Sequence, residues 1–142
     1  CSQSRSGNAG SRAGALDFHE IAELPDGAPL FVDPRLNCLA RPAPGHSFVV
    51  WTPPLFDALV PEVRCHQNDL ALRDGRLFAV TAIADRSGAW RKHKCDGGVV
   101  IKVATGEIVA QGLSMPHSPR WRDGQLWLHQ SGTGEFGRSH LA

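Results

Sequence analysis

The chain has 142 residues, enough for one ordinary domain. Lys plus Arg number 15 and Asp plus Glu 14, a formal net charge of +1, so no basic surface argues for a nucleic-acid partner. No apolar run approaches the roughly 18–20 residues that span a bilayer, and no signal-peptide core is visible. The expectation is a soluble, cytoplasmic protein without a membrane partner.

Residues 1–14 are rich in Ser, Gly and Arg with almost no large apolar side chain. Such a segment cannot bury enough surface to offset its ordering entropy, so a flexible leader is expected, followed by one folded unit over 15–142. The first residues, Cys1-Ser2, match a lipidated lipoprotein start, but a chain boundary is the simpler expectation. Cys1, Cys38, Cys65 and Cys95 form no CxxC pair and read as reduced thiols.

Turn signals then come quickly. Asp26-Gly27, Asp74-Gly75 and Asp123-Gly124 favour tight hairpins, because Gly accepts positive φ. Each precedes a short apolar run: Leu30-Phe31-Val32, Leu77-Phe78-Ala79-Val80 and Leu126-Trp127-Leu128. Strands are expected near 20–24, 29–33, 36–41 and 47–51. Further strands follow near 68–73, 76–82, 98–104 and 107–113, then near 118–122, 125–130 and 135–140. No window shows a helical stripe.

His19, His66 and His117 each precede an Asp-Gly pair, by 7, 8 and 6 residues, and recur at spacings of 47 and 51. A period near 50 with four short strands per unit describes β-propeller blades. The predicted fold is therefore all-β, with about three four-stranded blades near 17–52, 65–113 and 116–142, in an open or partial propeller. Propellers close with about 4 to 8 blades. The chain is thus expected to be a homo-oligomer, or a fragment of a longer chain that completes the ring. An ordinary β-sandwich is the competing fold.

The first strand of each blade lines the propeller channel, so the three histidines are expected at one mouth. Imidazoles there can ligate a divalent metal, giving His19, His66 and His117 as metal candidates and His66 and His117 as catalytic ones. Asn68 and Asp69 add oxygen donors. Asn37 and Arg35, between strands two and three of blade one, join Asn68 as ligand-binding candidates. The long segment 83–97 is a candidate lid, and its Arg91 and Lys94 suit an acidic substrate. His46, His129 and His140 read as surface or packing residues. No GxSxG, Walker-type loop or HExxH is present. The function expected is small-molecule binding or a hydrolase-like reaction at the channel mouth, with a metal as a possible cofactor. The alternative is a protein-interaction propeller whose histidines are structural.

Several stretches carry a resemblance: Leu36-Asn37-Cys38-Leu39-Ala40, His46-Ser47-Phe48-Val49, Trp51-Thr52-Pro53-Pro54, Arg64-Cys65-His66-Gln67-Asn68, and the run from Gly112 to Trp121. They resemble an uncharacterised bacterial family with a propeller-like domain of unknown function, sometimes fused to tetratricopeptide repeats. The family pattern His-Leu-Asn-Gly reads His66-Gln67-Asn68-Asp69 here, so the glycine is absent. The resemblance implies a propeller and a chain that is part of a longer whole, and supplies no reaction. A looser similarity, to gluconolactonase and strictosidine-synthase-like propellers, implies a metal at the channel mouth.

Overall fold

A computed structural model describes residues 18–44, 46–55, 61–86, 88 and 90–139. The expected leader 1–14 and His140 lie outside the described residues. Strands follow in chain order: β1 Ile21–Glu23, β2 Pro29–Asp33, β3 Cys38–Ala43, β4 His46–Trp51, β5 Gln67–Arg73 and β6 Arg76–Ala82. After a single 3-10 turn at Trp90–Lys92 come β7 Gly98–Lys102, β8 Ile108–Leu113, β9 Pro116–Arg122, β10 Gln125–Gln130 and β11 Glu135–Ser139. They form three antiparallel sheets, ordered β1-β2-β3-β4, β5-β6-β7-β8 and β9-β10-β11. Each sheet is a simple meander of four, four and three strands, compatible with partial propeller blades. The all-β expectation holds. Among the described residues no helix is long and apolar enough to cross a membrane, which says nothing of a β-barrel.

The hairpins show why the strands fall where they do. Asp74 and Gly75 have φ of 51° and 73°, and Asp123 and Gly124 have 52° and 75°. Two consecutive positive φ values make the primed turn whose twist matches the flanking strands. Asp26-Gly27 departs from this pattern. Pro25 fixes a negative φ ahead of Asp26, so only Gly27 turns left-handed, at 75°, and the loop is longer. Its closure is a Gly27 N–H bond to Leu24 O at 2.8 Å.

The third strand begins at Cys38 rather than near 36. Asp33 explains the delay: its Oδ1 accepts the backbone N–H groups of Arg35 and Leu36, at 2.9 and 3.1 Å. That side-chain turn competes with the ladder until Asn37, at φ 52°, releases the chain into β3.

The middle sheet is buried on both faces, which accounts for its continuous apolar runs. Toward the first sheet, Val80, Ala82, Val99 and Ile101 pack with Leu30, Val32 and Leu39. Toward the third, Ala79 and Val100 pack with Leu126 and Leu128. Each fully buried Leu or Val contributes about 1.5–3 kcal/mol, so these two layers hold the sheets in order. The connection from β6 to β7, 83–97, crosses the start of β5 as a strap. Ile83 and Ala84 donate to Cys65 O at 3.0 and 3.1 Å, and Gly88 donates to Arg64 O at 3.1 Å.

Candidate functional site

The first strands of the three sheets share one cavity. Its volume is about 260 Å³, and its walls include Ile21 of β1, Leu70 and Leu72 of β5, and Trp121 of β9. Glu20 and Arg120 supply its charged lining. Glu20 stands where it does because its carbonyl accepts the Val32 N–H at 3.0 Å, extending the β1 register past the strand's end.

The histidine repeat does not survive as a structural equivalence. His66 and Met115 occupy matching positions: both have left-handed φ, 53° and 48°, and both stand eight residues before a turn aspartate. Their neighbours match too, since Ala84 N–H bonds Cys65 O as Gly132 N–H bonds Ser114 O, at 3.1 and 3.3 Å. His117 therefore corresponds to Asn68, each six residues before its turn. The unequal offsets visible in the sequence were the sign of this slip.

What does converge is an acid–base cluster. Asp69 Oδ2 accepts from His117 Nδ1 at 2.9 Å and from the Ser118 backbone N–H at 3.0 Å. Arg120 Nη2 lies 3.3 Å from Glu20 Oε2. The Glu20 and Asp69 carboxyls act on each other: Asp69 raises the Glu20 pKa, and Glu20 helps to lower that of Asp69. Burial raises the Glu20 pKa, Arg120 offsets part of this, and the Asp69 charge adds to the rise. Burial also works against ionised Asp69, but hydrogen bonds from His117 and Ser118 N–H, with the His117 charge, outweigh it. The Asp69 carboxyl sits below its usual range. Two neighbouring acids pushed in opposite directions are the arrangement that divides acid and base roles. The backbone around His117 is unusual as well: Met115 and Ser118 both hold positive φ, 48° and 51°. Non-glycine residues in that region are concentrated where function requires a fixed side chain.

Asn68 is fully buried and positions this cluster. Its Oδ1 accepts from Thr81 Oγ1 at 2.8 Å and its Nδ2 donates to Pro116 O at 2.8 Å, while Nδ2 lies 3.2 Å from both ring nitrogens of His117. Asn37 is a tie of a similar kind. Its Nδ2 donates to Glu62 O at 2.7 Å, and its Oδ1 accepts the N–H groups of Arg64 and Cys65 at 3.2 Å. This leaves Asn37 joining the first sheet to the approach of β5, with its amide turned to backbone rather than to a cavity. Arg35 is exposed on the same turn.

His19 and His66 meet edge to face, with ring centroids 4.9 Å apart. His66 stacks on Trp90 of the strap at 4.3 Å and 19°. Arg91 and Lys94 both gather over that indole, with Arg91 Cζ at 4.3 Å and Lys94 Nζ at 5.6 Å from its centroid. His117 is engaged elsewhere, by Asp69 and Asn68, so the three histidines do not act as one ligand set. Among the described residues no three His, Cys, Asp or Glu side chains converge as a metal would require. Cys38 and Cys65 are buried thiols, each pushed up to about 12 by desolvation, and so are poor nucleophiles.

Sequence reasoning passed over Glu20 and Arg120. Glu20 is adjacent to a histidine that drew attention, and its partners lie 49 and 100 positions away, a relationship no local pattern carries.

A family model described as a domain of unknown function (DUF4915) matches residues 8–142. No curated protein and no solved structure matches the chain.

Proposed function

The chain belongs to the DUF4915 family, and we propose that it carries a small-molecule site with hydrolase-like acid–base chemistry, set on the inner strands of an arc of propeller blades. The observation that carries this reading is the opposed titration of Glu20 and Asp69 beside a shared cavity. Glu20 keeps its proton to a higher pH than a free carboxyl and serves as the donor. Asp69 stays ionised, orients His117 through Nδ1, and with it accepts the proton from an attacking water. Proton transfer of this kind contributes about 10²–10⁴-fold to a rate. The wall of Leu70, Leu72 and Trp121 suits a substrate with an apolar body.

Turnover of a panel of ester and lactone substrates tests the reading. Glu20→Gln and Asp69→Asn are expected each to lower turnover by about 10²–10⁴-fold while the fold is retained. Turnover equal to wild type in both variants removes it.

A second reading, a protein-interaction propeller, is favoured by the exposed apolar groups of the outer sheets. Ile21 is 62% exposed and Phe136 67% exposed, as blade faces are when they await further blades. Those blades would come from a second copy or from a longer chain, and light scattering on the intact chain separates the two sources.

A further inference from the structure

We propose that the strap recognises an oxyanion, a carboxylate or a phosphate, on the substrate of the Glu20–Asp69–His117 site. The proposal rests on the acid–base reading for what lies beside the strap, while the strap's own geometry stands apart from it. Three features meet on Trp90. Arg91 and Lys94 both stand over its ring. His66 stacks against it and touches His19, the sequence neighbour of Glu20. The indole Nε1–H is buried and has no acceptor among the described residues.

These two cations lack the carboxylate partner that several arginines of the chain have. Arg41, Arg86 and Arg120 each pair with a carboxylate, Asp26, Asp85 and Glu20. Arg91 and Lys94 have no carboxylate within ion-pair distance among the described residues. A guanidinium lying over an indole spends its face and keeps its N–H edge, the edge that binds carboxylate or phosphate through two parallel bonds. Around Trp90 the strap thus presents several donors, while its Asp85 carboxylate is already engaged by Arg86. An oxyanion supplies the acceptor that these donors lack.

The test is a titration of the full ¹⁵N-labelled chain with inorganic phosphate and, separately, acetate. Ionic strength is held constant with chloride, and the Trp90 indole N–H resonance is followed after assignment with Trp90→Phe. A saturable shift is expected, weakened at least tenfold in Arg91→Gln/Lys94→Gln and retained in Lys92→Gln. All three side chains are exposed, so these variants keep the fold. Saturation by phosphate alone identifies a phosphate-bearing ligand, and saturation by acetate alone a carboxylate. No saturable shift with either anion, or the same shift in the double variant, overturns the proposal. Asp69→Asn in parallel separates the two ideas, because it removes turnover and leaves the anion shift in place.

Discussion

Glu20, just before the first sheet, and Asp69, in the second, act on each other, and their pKa values move in opposite directions, Glu20 up and Asp69 down. Their effects on stability are therefore opposed. A carboxyl with a raised folded pKa stabilises the fold below its ordinary value, 4.5 for Glu20, and loses that contribution as pH rises through the folded value. Asp69, lowered from 3.8, stabilises above that value and loses its contribution as pH falls through the folded one. Glu20→Gln removes the first effect and leaves the two largest causes that hold Asp69 down, the His117 and Ser118 hydrogen bonds, in place. We predict that the variant gains on wild type in melting temperature as pH rises from about 4 to about 7. Parallel curves across that range would contradict the raised Glu20 pKa.

Asn68 joins three strands of two sheets through Thr81 and Pro116. Asn68→Ala leaves a buried hydroxyl and a buried carbonyl without their partner. The predicted loss is about 2–6 kcal/mol by urea unfolding, at roughly 1–3 kcal/mol for each group left unsatisfied. A loss below about 0.5 kcal/mol, the usual range for an inconsequential surface change, would remove Asn68 as the tie between the sheets.

His66 holds the strap by stacking on Trp90, from a left-handed backbone position at φ 53°. Asn tolerates that conformation, so His66→Asn tests the ring without adding strain. The expected global cost is at most about 1.5 kcal/mol. Limited proteolysis within 83–97 should accelerate in this variant and equally in Trp90→Ala. Cleavage at the wild-type rate in both would mean that the stack does not hold the strap.

Gly75 has φ 73°, and a Cβ there would come within 3.0 Å of Pro25 Cγ. Gly137 lacks a positive φ and has open space around it. Gly75→Ala is predicted to cost about 1–2 kcal/mol, from the left-handed backbone alone, with little effect from Gly137→Ala. Equal effects of the two substitutions would argue against the primed turn at Asp74-Gly75.

The scaffold was legible because its signals are local. Asp-Gly turns and apolar runs place β6 at Arg76–Ala82 and β10 at Gln125–Gln130, as expected. The shifted start of β3 was hidden because it depends on how the Asp33 side chain bonds its own backbone. The site was legible in part. His117, Asn68 and Asp69 drew attention from the sequence, yet His66 and His117 looked like repeats of one position when they are not. Only strand register, fixed by Cys65 and Ser114 as acceptors, shows that Asn68 is the counterpart of His117. Glu20 and Arg120 acquire their chemistry from each other and from Asp69, across sheet boundaries.

Site-resolved carboxyl titration by ¹³C NMR addresses the acid–base pair most directly. Glu20 should titrate above 4.5 and Asp69 below 3.8 in the intact chain. In Asp69→Asn, the Glu20 value should fall back toward the ordinary glutamate range, because one cause of its elevation is gone. Both carboxyls titrating at ordinary values, unmoved by substitution of the other, would show that no acid–base pair exists between these sheets.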